Sequence, residues 1–151
     1  MMTWTFLHVL SVFIAFALTT GVGIASTAIA GTRDVRAIRA TAKIAQPLQL
    51  TGAILLAAGI ILGFLSARSA GYDLASPWLA TGFACAVLLL VIGFTVHRVW
   101  FLKLAKAVAA SPDDQASPEV NAIIDDKLAR AAGPVSGLLW IIAIAMMVLK
   151  P

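Results

Sequence analysis

Four stretches without a single charged residue constrain this chain more than anything else in it; they run over about residues 6–30, 47–65, 78–96 and 131–149. Each is near the ~20 residues that a helix rising 1.5 Å per residue needs to cross a ~30 Å hydrocarbon core. Membrane-spanning strands would be about half as long and would alternate polar with apolar residues, which these stretches do not. Composition argues the same way: 61% of the residues are hydrophobic and 12% charged, whereas a soluble domain carries about 25% charge. One water-soluble core could not hide that apolar surface, so the surplus must face lipid. The sequence therefore predicts an all-α integral membrane protein, a single transmembrane domain over 1–151 built as a four-helix bundle.

Every Lys, Arg, Asp and Glu falls outside the four stretches. Proton-coupled pumps, exchangers and voltage sensors keep ionisable side chains at membrane depth because the charge is the mechanism, and the spans offer nothing of that kind. The linkers are asymmetric. Arg33, Arg36, Arg39 and Lys43 lie in the first, and Arg98, Lys103, Lys106, Lys127 and Arg130 in the third, nine of the eleven cations. The positive-inside rule then places both linkers in the cytoplasm and both termini outside. Ala28-Ile29-Ala30 before Gly31 resembles a signal-peptide cleavage site, but residues 1–5 hold no Lys or Arg and the apolar run is too long, so a retained helix is expected. Cys85, the single cysteine, allows no intrachain disulfide and reads as a small packing residue.

Small residues recur at every fourth position of span one: Ser11, Ala15, Thr19, Gly23 and Thr27. Span two carries Gly59 and Gly63 in a GxxxG element. Such spacing lets helix backbones approach closely in lipid. It serves either a homo-oligomer or packing within one four-helix bundle, and the second is the expectation.

The first linker predicts a separate short helix. Arg33, Arg36, Arg39 and Lys43 fall within a sector of about 120° on a helical wheel, with Val35, Ile38, Ala42 and Ala45 opposite. Such a basic amphipathic helix would lie at the interface against anionic lipid headgroups, and Pro47 would then open span two in its first turn. Span three is expected to continue as a helix through His97 to Lys103. Turn chemistry over Ser111-Pro112-Asp113-Asp114-Gln115-Ala116 stops it. Ser117, Pro118 and Glu119 begin a short helix as N-cap, N1 proline and first-turn acid, with Val120, Ile123, Ile124 and Leu128 on one face. Gly133-Pro134 would separate that helix from span four.

Catalytic patterns are scarce. No phosphate-cradling glycine loop, nucleophile elbow or metalloprotease pair occurs, and nothing calls for nucleic acid, since the formal charge of +4 follows from topology and no aromatic platform is present to stack bases. His8 and His97 remain. Imidazole ligates haem iron or copper, but the topology puts His8 near the outer face and His97 near the inner one, too far apart to share one metal. Two functional classes follow: a non-enzymatic membrane component, either a homo-oligomer or an accessory subunit of a larger membrane complex, and a haem- or copper-binding redox protein using His8.

Three short motifs carry a resemblance: Phe6-Leu7-His8-Val9-Leu10 at the start, Ser76-Pro77-Trp78 before span three, and Met146-Met147-Val148-Leu149-Lys150-Pro151 at the end. Through them the chain resembles a family of small bacterial four-helix integral membrane proteins of unknown function, which implies a multi-pass protein of the bacterial cytoplasmic (inner) membrane. The Leu7-His8 pair is also similar to membrane proteins of the copper-resistance D type and to HemJ-type protoporphyrinogen oxidases. That likeness implies haem as the cofactor and His8 as its ligand. In those proteins a lysine often precedes the histidine by about three residues; Thr5 stands there in this chain, which weakens the oxidase reading.

Overall fold

The computed structural model describes residues 2–112 and 115–149. Their order is α1 (Met2–Gly31), α2 (Val35–Ser69), α3 (Pro77–Ile92), a π turn (Gly93–His97), α4 (Arg98–Ala110), α5 (Pro118–Ile124) and α6 (Lys127–Leu149). The helix from Pro77 to Ala110 is unbroken, and four helices are long and apolar enough to cross a membrane. The chain is a multi-pass membrane protein with four candidate spans. Only 17–33% of the residues in their apolar windows are buried inside the protein. Side chains such as Phe13, Ile24, Ile61 and Ile141 are more than 60% exposed; lipid is the solvent that accepts them.

Two antiparallel pairs make the bundle, α1 with α2 and α3 with α6, while α4 packs on α2 and α5 and α1 barely touches α6. At mid-depth Ala15, Leu56, Leu89 and Trp140 close into a small core, where Phe16 meets the Trp140 indole edge-on with centroids 5.2 Å apart.

No separate amphipathic helix lies between spans one and two. α2 is one helix of 35 residues, about 50 Å long at 1.5 Å per residue, so its first part projects beyond a ~30 Å hydrocarbon core. The chain reverses from α1 within residues 32–34. Arg33 adopts the left-handed conformation (φ 59°), and the Asp34 carboxylate caps α2 by accepting from the N–H groups of Arg36 and Ala37, at 2.9 and 3.1 Å. Pro47 lies inside the helix and does not open it; spanning helices tolerate such a proline where neighbours re-satisfy the freed carbonyl. Val35 and Ile38 meet neither water nor headgroups. They are 2% and 4% exposed, packed with Ala30 against Leu104, Ala107, Val108, Val120 and Ile124. The projecting part of α2 thus forms a helical cap with α4 and α5, at what we term the basic end of the bundle.

The N-cap expected at Ser117 is present, its hydroxyl accepting from the Val120 N–H at 3.3 Å. Gly133-Pro134 does not separate α5 from α6. The break falls at residues 125–126, and Pro134 sits within α6. The expected turn residues Asp113 and Asp114 and the terminal Lys150 and Pro151 lie outside the described residues.

Candidate functional site

Span one meets span two along a seam of glycines. A Cβ on Gly59 would stand 2.7 Å from Val12 Cγ2, one on Gly63 2.8 Å from His8 Cε1, and one on Gly52 2.9 Å from Thr19 Cγ2. All three α2 glycines are buried because α1 lies where their side chains would be. Gly52 escaped the sequence argument, although its place seven residues before Gly59 puts it on the same face.

Polar groups on α1 tie the seam. His8 Nδ1 lies 2.8 Å from the Gly59 carbonyl oxygen, and the Ser11 hydroxyl donates to the Leu55 carbonyl at 2.7 Å. Both carbonyls belong to a helix interior, so these are second bonds to acceptors with a spare lone pair. The Gly59 carbonyl can only accept, so Nδ1 carries a proton; in the neutral imidazole the lone pair then lies on Nε2. Ala15 is fully buried in the mid-depth core. Thr19 turns its hydroxyl back to the Ala15 carbonyl at 2.8 Å while its methyl group covers Gly52. Gly23 and Thr27 do not continue the seam: a Cβ on Gly23 would meet nothing within 4 Å, and Thr27 is exposed, bonding the Gly23 carbonyl. The stripe runs out because a four-residue spacing drifts around a helix of 3.6 residues per turn. Ser26 and Ala30 are buried in their place.

His8 borders a chamber of about 220 Å³ at the end opposite the basic cap, also lined by Gly63, Trp78, Phe83, Trp140 and Met147. Its volume lies below the ~300–1,000 Å³ of pockets that enclose drug-sized ligands. No group of three His, Cys, Asp or Glu side chains placed to hold a metal occurs among the described residues. His97 is remote from His8, in the π turn, with Nε2 3.2 Å from the Ser136 hydroxyl.

The four linker cations divide. Arg39 reaches α4, where its guanidinium donates to the Val108 carbonyl through Nε (3.2 Å) and Nη2 (2.7 Å) and to the Ser111 carbonyl at 2.9 Å. Arg33 pairs with Asp125 at 3.1 Å and bonds Asn121; Asp125 also pairs with Arg130. Arg36 and Lys43 are exposed on the surface of α2. Buried Cys85 is in α3. No protein-family model, no curated protein and no solved structure matches this chain, and the family suggested by its short motifs is not identified by these comparisons.

Proposed function

We propose that the protein is a non-enzymatic component of the bacterial cytoplasmic membrane, multi-pass with both termini outside, acting as an accessory subunit or homo-oligomer. The observation that carries this reading is the α1–α2 seam. Two polar side chains of α1, His8 and Ser11, are committed to the carbonyls of Gly59 and Leu55, an arrangement that holds two helices together and assembles no acid, base and nucleophile around a reacting group. The basic cap, with Arg36 and Lys43 exposed, would face the cytoplasm and the anionic headgroups there. A visible absorption spectrum tests the reading. Protein purified after expression with haem supplied should show no Soret band; a Soret band that vanishes in His8→Ala would overturn it.

One observation favours a second reading, a copper-handling protein. His8 donates through Nδ1 and so keeps Nε2 as a ligand atom, and Met147 borders the same chamber; imidazole and thioether suit cuprous copper. Cuprous titration of the purified protein, with His8→Ala and Met147→Leu in parallel, decides it. Stoichiometric binding lost in both variants would support copper, and equal weak binding by all three would remove it.

A further inference from the structure

Leu56, Leu89 and Trp140 line the His8 chamber and also form the floor of a second, larger cavity. This is a cleft of about 730 Å³ that runs toward the basic end where α1 and α6 stay apart. Five glycines line it: Gly23 and Gly31 on α1, Gly93 in the π turn, and Gly133 and Gly137 on α6. At none of them would a Cβ meet another atom within 4 Å. The contrast with the seam glycines is complete. Gly52, Gly59 and Gly63 are filled by the helix opposite, whereas the cleft glycines face open volume. Close helix approach does not account for them; keeping the channel wide does.

Two further features sit in the same wall. The Ser26 hydroxyl is covered, in a residue only 5% exposed, and has no hydrogen-bond partner among the described residues, a costly state for a polar group in an apolar setting. The π turn widens the helix at Gly93–His97, and such turns recur at functional sites.

The charged residues of the lining are both arginines. Arg98 enters from the α4 wall and Arg130 from the α6 wall. Arg130 and Arg33 share the single carboxylate of Asp125, so the mouth stays positive. Ser26, five residues before the end of α1, lines the same cleft as the two arginines, and the floor at Leu56, Leu89 and Trp140 is apolar. Guanidinium groups, a hydroxyl and an apolar floor within one cleft match the phosphate, ester and chain of a phospholipid.

We propose that this cleft binds one anionic phospholipid. The phosphate lies between the guanidinium groups of Arg98 and Arg130, which bind it with charge-assisted hydrogen bonds. The Ser26 hydroxyl, turned about χ1 into the cleft, donates to an ester carbonyl. One acyl chain follows the glycine-lined channel toward Trp140. The assignment does not depend on which membrane face the basic end occupies.

Native mass spectrometry of the full chain in detergent, with dioleoylphosphatidylglycerol or dioleoylphosphatidylcholine added, tests this. One phosphatidylglycerol should be retained per chain at lipid concentrations about tenfold below those that give a phosphatidylcholine adduct. Arg98→Gln with Arg130→Gln should erase that preference. Gly137→Leu places a side chain in open space, so its melting temperature should stay near that of the parent while lipid retention falls at least about tenfold; Gly23→Leu, on the opposite wall, should do the same. Equal retention of the two lipids by the parent, or undiminished retention by both leucine variants, would overturn the proposal. Displacement of the lipid by millimolar glycerol phosphate would also overturn it, assigning the mouth to a soluble phosphate.

Discussion

Arg39 closes the carboxyl end of α4 from another helix: its guanidinium grips the Val108 carbonyl with two nitrogens, at 2.7 and 3.2 Å. The last carbonyls of a helix have no partner within it, and Val108 itself is fully buried. Water cannot easily replace the arginine. Arg39→Ala should therefore destabilise the protein by about 1–3 kcal/mol, since it removes charge-assisted bonds to two carbonyls and leaves the Val108 oxygen only the long bond from the Ser111 N–H at 3.4 Å. Arg39→Lys should recover only part, because an ammonium cannot present the planar fork. Thermal unfolding in detergent measures both, and an unchanged midpoint for Arg39→Ala would show that the contact is dispensable.

The seam predicts a graded response to side-chain size at Gly59. The atom that a Cβ would strike is Val12 Cγ2, at 2.7 Å, and a helical valine has essentially one rotamer to offer. Gly59→Ala should cost stability on the overpacking scale of about 1–3 kcal/mol. Gly59→Leu should separate α1 from α2 and break the His8 and Ser11 bonds with it. Cross-linking between cysteines placed on α1 and α2, in a Cys85→Ala background, should fall in the leucine variant; undiminished cross-linking would mean that the two helices adjust without loss.

Val35 and Ile38 offer a choice between two environments. In an interfacial helix, replacing both with Ser would loosen that segment alone. In the cap they share a core with Leu104, Val108, Val120 and Ile124. The double variant should then quicken amide exchange in α4 and α5 as well as in the first turns of α2. Truncating a buried Ile to Ala costs about 2–5 kcal/mol, and a serine hydroxyl without a partner adds to that. Faster exchange confined to the beginning of α2 would contradict the shared core.

Orientation is testable with single cysteines in a Cys85→Ala background. A cysteine at Arg36, exposed at the basic end, should resist a membrane-impermeant maleimide in intact cells and react once the membrane is opened. A cysteine at Tyr72, exposed in the opposite loop, should react in intact cells. The reverse pattern would place the basic end outside.

The four uncharged stretches by themselves determined that this is a multi-pass helical membrane protein, because hydrocarbon admits no unpaired backbone and about 20 apolar residues are what a crossing helix needs. Local chemistry was legible too: the Ser117 cap depends on neighbours a few residues away. The sequence could not say what lies opposite an amphipathic face. Val35 and Ile38 carry the same pattern whether they meet lipid or protein, and only the approach of Val108 and Val120 decided for protein. Gly59 and Gly137 are likewise the same residue in two similar apolar helices. Whether a missing side chain admits a neighbouring helix or holds open a cavity depends on where the other helices stand, and that is a property of the assembled bundle.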